Sequence, residues 1–331
     1  MSTHTIGRDE IDQLAEAGHL DAAARDAALL MTGVTPDSRQ WQRFLSHLFL
    51  LLGVTFLAAA AGYFIAYNWD VMGRFAKIGL LEAGLVGAVI VALRADSETL
   101  IARAALLAAV LLTGPLLAFV GQTYQTGADT YELFRAWALL TLPWVLVARW
   151  RPTWCLWLLL VNVSIALYFG EAWRPLVSSF FYQTAALTHL VVNALFLVAF
   201  EIWGRERVTG GGRIVERFAI VLVLAAAGFL YMHFLFEVRE RSGWEPIVAI
   251  ATYAAVWFVY RRQRIDAAAL ALWCFGGIVA AVATVGKILS DGRAETAAFL
   301  FCGLTAIGLS AWAAAWLRNV NREINAKAEA A

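Results

Sequence analysis

Cysteine is scarce in this chain. Its 331 residues hold three, Cys155, Cys274 and Cys302, each inside an apolar run and none in a Cys-x-x-Cys pair. An odd, scattered set excludes a disulfide framework and a paired-thiolate zinc site. Charge is equally sparse, at 15% of residues with a net value of +1, so no overall field recruits nucleic acid. The phosphate loop Gly-x-x-x-x-Gly-Lys-Ser/Thr is missing, which excludes a built-in ATPase of that type. Also missing are His-Glu-x-x-His and Gly-x-Ser-x-Gly, and no span carries an Arg ladder. No catalytic set stands out, so an enzyme is not indicated and no cofactor is expected.

What fills the chain is apolar length. Hydrophobic residues make up 61% of it and the mean hydropathy is +0.67. A bilayer core about 30 Å thick needs roughly 20 apolar residues at 1.5 Å each. Ten stretches approach that length: residues 44–67, 75–94, 100–120, 131–149, 153–170, 179–203, 215–236, 245–260, 266–286 and 296–317. The fold expected is an all-α polytopic membrane bundle of about ten transmembrane helices. Residues 44–318 would form it, preceded by a segment over 1–43 and followed by a tail over 319–331.

The opening 40 residues are polar, with no basic-then-apolar leader, so the first span is expected to act as its own insertion signal. Within them Ile11, Leu14 and Ala15 fall at helical spacing, as do Ala22, Ala23, Leu29 and Leu30. Gly18 separates the two sets, which predicts a short cytosolic helical hairpin before a linker broken at Pro36.

Orientation follows from the basic residues. With the N-terminus inside, 18 of the 26 Lys and Arg fall on the cytoplasmic side, concentrated at Arg205, Arg207, Arg213 and Arg217 and at Arg261, Arg262 and Arg264. Both termini are therefore expected in the cytoplasm of a bacterial cell, with the chain in its inner membrane. Tryptophan agrees, with Trp41, Trp150, Trp154, Trp203, Trp312 and Trp316 at expected inner boundaries and Trp69, Trp173 and Trp244 at outer ones.

Polar residues near or within the spans need a reason, because ionisable groups at membrane depth are costly. They gather in "NWDVMGRFAKIGLLE" and "GQTYQTGADTYELFR". Asn68, Asp70, Lys77, Glu82, Gln122, Tyr124, Gln125, Asp129, Tyr131, Glu132 and Arg135 would share one extracytoplasmic mouth. Local satisfaction competes with that reading. Asp129 can cap the fourth span with Glu132 completing a capping box, while Glu132–Arg135 and Asp70–Arg74 have ion-pair spacing. Glu82 lies deepest; a carboxyl there would be neutral or paired with Lys77 or Arg135, and could carry a proton.

A second stripe runs along the sixth span, where Tyr182, His189 and Asn193 recur at intervals of seven and four, with Asn162 at similar depth on the fifth. Interhelical hydrogen bonding explains it, at well under about 2 kcal/mol each. A bis-His haem would need a second histidine level with His189, and His47 and His233 are expected at other depths.

The first polar segments also carry a resemblance. "AYNWD", "RFAKIG", "GQTYQTGAD" and "AWALLTLPW" resemble a family of bacterial multi-pass membrane proteins of unknown function. The resemblance implies a helical inner-membrane protein with an N-terminal helical hairpin; it implies no activity and no ligand residues. Three functions stay open: a transporter-like or small-ligand-binding protein taking a small polar solute, ion or lipid headgroup, a scaffold that assembles with a membrane-protein partner and, ranked last for want of a recognisable nucleophile or metal set, a lipid-modifying enzyme with Asp70, Asp129 or Glu132 as base. The lipid bilayer is the one partner common to all of them.

Overall fold

The computed structural model describes residues 8–68, 70–171, 179–204, 212–237, 243–291 and 295–330, predominantly helical with no strand among them. Two short helices, α1 (Arg8–Glu16) and α2 (Ala22–Met31), come first, and Gly18 between them adopts a φ of +77°. Ile11 and Leu29 are buried, the Asp21 side chain accepts from Ala24 N–H at 2.7 Å, and Asp12 pairs with Arg25 at 2.6 Å. The hairpin expected from the apolar spacing is thus formed. Ten longer helices follow: α3 (Ser38–Tyr67), α4 (Arg74–Arg94), α5 (Leu100–Tyr124), α6 (Thr130–Ala148) and α7 (Arg151–Glu171) make up the first five. The rest are α8 (Ser179–Ala199), α9 (Ile214–Phe236), α10 (Trp244–Phe258), α11 (Ala267–Asp291) and α12 (Glu295–Ala330).

Nine helices among the described residues are long and apolar enough to cross a membrane. The chain is an all-α polytopic membrane protein. The expected eighth span is the one that differs. It is α-helical for 15 residues and then continues as a π-helical turn over Val259–Gln263. The last helix, α12, runs without interruption from Glu295 to Ala330.

Two compact units result: Met1–Gly53 with Trp316–Ala331, and Val54–Ala315. Within the second, α4 packs on α5, α6 on α7 and α8 on α9, and α9 also meets α10 and α11. The surface is apolar, with Phe56, Leu93 and Phe301 all exposed. That is the pattern of a molecule whose solvent is hydrocarbon, where apolar side chains gain little by turning inward.

Helix cohesion in such a solvent rests on close packing and hydrogen bonds. Tryptophan supplies both here. Trp137 Nε1 donates to Val110 O at 2.6 Å, Trp157 Nε1 to Ala138 O at 2.7 Å and Trp273 Nε1 to Tyr253 O at 2.9 Å, each joining neighbouring helices. Gly114 is required where Trp137 lies on α5, since a Cβ there would overlap the indole ring. Trp154, expected at a membrane boundary, is instead buried against Trp157 and Phe200 at centroid distances of 5.7 and 5.1 Å. Trp41 and Trp312 are exposed. Trp69, Trp173 and the side chain of Trp203, together with Arg205 and Arg207, lie outside the described residues.

Candidate functional site

The residues expected to share a mouth are mostly at the surface and, apart from Lys77 and Tyr131, their contacts are local. Asn68 turns its amide back onto Phe64 O at 2.8 Å. Asp70, Gln122, Tyr124, Gln125 and Asp129 are exposed. Gln125 closes α5 in the left-handed conformation, with φ +46°. Glu132 pairs with Arg135 at 3.0 Å, and that guanidinium lies 5.5 Å from the centre of the Tyr131 ring.

Three local expectations are corrected. Asp129 stands at the N-cap of α6 without a side-chain cap hydrogen bond. Asp70 and Arg74 form no ion pair among the described residues; Arg74 sits over the Phe75 ring at 5.0 Å. Glu82 pairs with neither Lys77 nor Arg135. It projects from the exposed face of α4, whereas Lys77 is buried with its ammonium 5.8 Å from the centre of the Phe119 ring. The helix periodicity explains the split, because five residues along an α-helix rotate a side chain by more than a third of a turn.

The second stripe converges. Asn162 on α7 and Asn193 on α8 face each other through a reciprocal amide pair, Nδ2 to Oδ1 at 3.0 Å in one direction and 2.7 Å in the other. His189 Nδ1 lies 2.8 Å from Asn162 Oδ1. Asn193 is fully buried and Asn162 nearly so. Burial in hydrocarbon demands such pairing, since an amide left without partners costs several kcal/mol (about 2–7).

Above this pair the helices part. A cavity of about 560 Å³ opens between α7, α8 and α9, with Asn162 and His189 at its polar end. Its walls are small or aromatic: Ala185 and Ala186 on α8, Ala225, Ala226 and Phe229 on α9, and Phe169 on α7. Tyr182 stands at the rim, half exposed. Alanine on facing helices creates the space, and the aromatic rings bound it. The volume lies in the range of roughly 300–1,000 Å³ that holds small-molecule ligands.

A neighbouring buried cluster had no signal in the sequence. Glu245 of α10 is fully buried, and its Oε1 accepts from Gln183 Nε2 of α8 at 2.8 Å and meets His233 Nδ1 of α9 at 2.8 Å. Its Oε2 has no hydrogen-bond partner among the described residues. His233 and Gln183 are 12 and 62 positions away from Glu245. Helical spacing within one element therefore could not have joined them.

A third polar group clamps the opposite ends of α8 to α11. Asp266 accepts from Arg217 Nε and Nη2 at 3.2 and 3.0 Å and from Arg213 Nη1 at 3.1 Å. Arg213 also reaches Glu201 at 3.6 Å, and Glu201 accepts from Tyr260 Oη at 2.9 Å and pairs with Arg264. Asp266 caps α11 as well, accepting from Ala268 and Ala269 N–H at 3.0 and 3.2 Å. Burial alone would raise its carboxyl, but hydrogen bonds from Arg217 and Ala269 and the charges of Arg217 and Arg213 hold it below the usual carboxylate range. The basic residues that suggested a cytoplasmic loop are therefore also structural partners.

Among the described residues no group of three or more His, Cys, Asp or Glu could hold a metal ion. Residues 12–154 match the model of a family described as a predicted membrane protein, DUF2157. The resemblance carried by "AYNWD" and "GQTYQTGAD" holds over that stretch. No curated protein and no solved structure matches the chain significantly. The cavity lies beyond the matched residues.

Proposed function

We propose that this membrane protein binds a small, largely apolar ligand in the cavity between α7, α8 and α9. One observation carries the reading: a space of about 560 Å³ with apolar walls ends on a preorganised polar pair, Asn162 and His189. Apolar walls with a few placed polar groups are the usual composition of small-molecule sites. On the orientation expected from the basic residues, this cavity belongs to the extracytoplasmic half of the bilayer, and a lipid or other membrane-dissolved molecule would enter it sideways. A mouth for a polar solute at Gln122, Asp129 and Arg135 draws less support, because their contacts stay on their own helices or face outward.

Filling the space tests the proposal. Ala185→Phe places a ring where the cavity now stands. Native mass spectrometry of the protein released from membranes should show a small bound molecule that the variant lacks at equal insertion. Identical spectra would refute it.

Glu82 favours a second reading, assembly with another membrane protein. Its carboxyl is exposed roughly 12 Å along α4 by helical rise, where lipid offers it no partner. A neighbouring protein would supply the donor. Gentle extraction should then yield a complex that Glu82→Leu releases; an unchanged elution volume would count against it.

A further inference from the structure

The hydrogen bonds at the polar end of the cavity decide which chemistry it can accept. Both amide hydrogens of Asn162 are engaged, one on Leu158 O at 2.8 Å and one on Asn193 Oδ1 at 3.0 Å. Asn193 spends its two on His189 O at 2.7 Å and Asn162 Oδ1 at 2.7 Å. Backbone carbonyls only accept, so they fix which end of each amide carries the nitrogen. Asn162 Oδ1 is therefore an acceptor. The atom facing it at 2.8 Å, His189 Nδ1, must be the donor. A neutral ring with its hydrogen on Nδ1 keeps a lone pair on Nε2. No described residue donates to that nitrogen, and the amide pair beside it has no hydrogen left to offer.

Resting on the reading of this cavity as a ligand site, the geometry points to a ligand with a hydroxyl head: a mainly apolar molecule whose O–H donates to His189 Nε2. The alanine and phenylalanine walls take its tail. An ether, ketone or quinone presents only acceptors, and at this floor acceptor would oppose acceptor. Tyr182 can meet any head group at the rim, but it is half exposed and stands apart from the floor pair. Selection therefore falls to His189.

The test uses full-length protein in nanodiscs with radiolabelled dodecanol and methyl dodecyl ether. Specific binding is the amount in excess of Ala185→Phe, with Ala225→Phe as a second filled variant. The wild type should hold the alcohol about 3- to 10-fold more tightly than the ether, the range of one net hydrogen bond. His189→Phe should bring that ratio close to one. Tighter binding of dioctanoylglycerol than of dodecanol would place the hydroxyl on a membrane lipid and the reverse on a single-chain alcohol; either supports the hydroxyl head. Equal binding of alcohol and ether, both lost in the filled variants, overturns the ligand class and leaves the cavity reading standing. A preference that survives in His189→Phe also overturns it. No excess of any probe over the filled variants overturns the cavity reading itself.

Discussion

Replacing Asp266 by alanine removes a side chain that accepts from two guanidinium groups and two backbone N–H groups at once. The loss has two parts. The cap on α11 contributes about 1 kcal/mol, as such caps do. Severing a buried ion pair costs about 3–5 kcal/mol when the surviving charge has nowhere to go. Here that figure must shrink, because the Arg217 side chain is 41% exposed and can turn to water. Arg213 is better enclosed, but Glu201 remains near it at 3.6 Å. The expected destabilisation is about 3 kcal/mol, drawn from those two ranges. Asp266→Asn keeps an oxygen for the cap but replaces Oδ2, which accepts from Arg213 and Arg217, by an NH2 donor, so it should spare only the cap and cost about 2 kcal/mol. Equilibrium unfolding in mixed micelles reads both variants. Values within about 0.5 kcal/mol of wild type, the usual scatter of neutral surface changes, would refute the clamp.

The same carboxylate sets a pH dependence whose sign is fixed. Its folded value is held below the ordinary 3.8, so the stability it adds is complete above that pH. Protonation removes the contribution as pH falls through the lowered folded value. The difference between wild type and Asp266→Asn should therefore stay constant from neutral pH down to about 5 and close below about 4. A gap that closes near neutrality would mean that some other group titrates.

Other positions give independent tests. Gly114→Val should collide with the Trp137 ring and destabilise by about 1–3 kcal/mol, and a variant as stable as wild type would show that α5 and α6 pack otherwise. Trp137→Phe, which removes the indole donor to Val110 O together with the ring carbons that lie over Gly114, should cost more than the about 0.5–1.5 kcal/mol of the hydrogen bond alone in the same assay. A double-mutant cycle on Asn162→Leu and Asn193→Leu should show a coupling of about 0.6 kcal/mol and no more than about 1.7; zero coupling would deny the amide pair. Glu245→Ala should destabilise by about 1–3 kcal/mol, since it leaves Gln183 and His233 facing each other without their shared acceptor.

Depth was legible in the sequence and azimuth was not. Apolar length placed nine of the ten expected spans, because a bilayer imposes its thickness on every helix that crosses it. The short helices α1 and α2 were legible for a related reason, as their apolar residues recur at 3.6-residue spacing around Gly18. The eighth span was overestimated as α-helix because hydropathy does not register where a helix widens into a π-turn at Val259. Asn162, His189 and Asn193 could be matched in depth, and in the structure they touch.

Glu82 marks the limit of that reasoning. Its depth along α4 argued for a paired or neutral carboxyl facing inward, yet depth says nothing of which way a side chain points around the axis. A span whose few polar residues point to different sides of its axis gives a weak moment from which to infer its inner face, and α4 is such a span. The helix presents Lys77 to Phe119 on one side and Glu82 to the exterior on another. Glu245 fails to announce itself for the converse reason. It sits at the start of α10 beside Trp244, where a sequence reading takes an acid for a helix-terminus residue in the headgroup zone. Only the approach of α8 and α9 turns it into a buried group that holds two helices together. The decisive chemistry of this chain therefore arises between helices, at places where each partner taken alone looks like an ordinary polar residue near a membrane boundary.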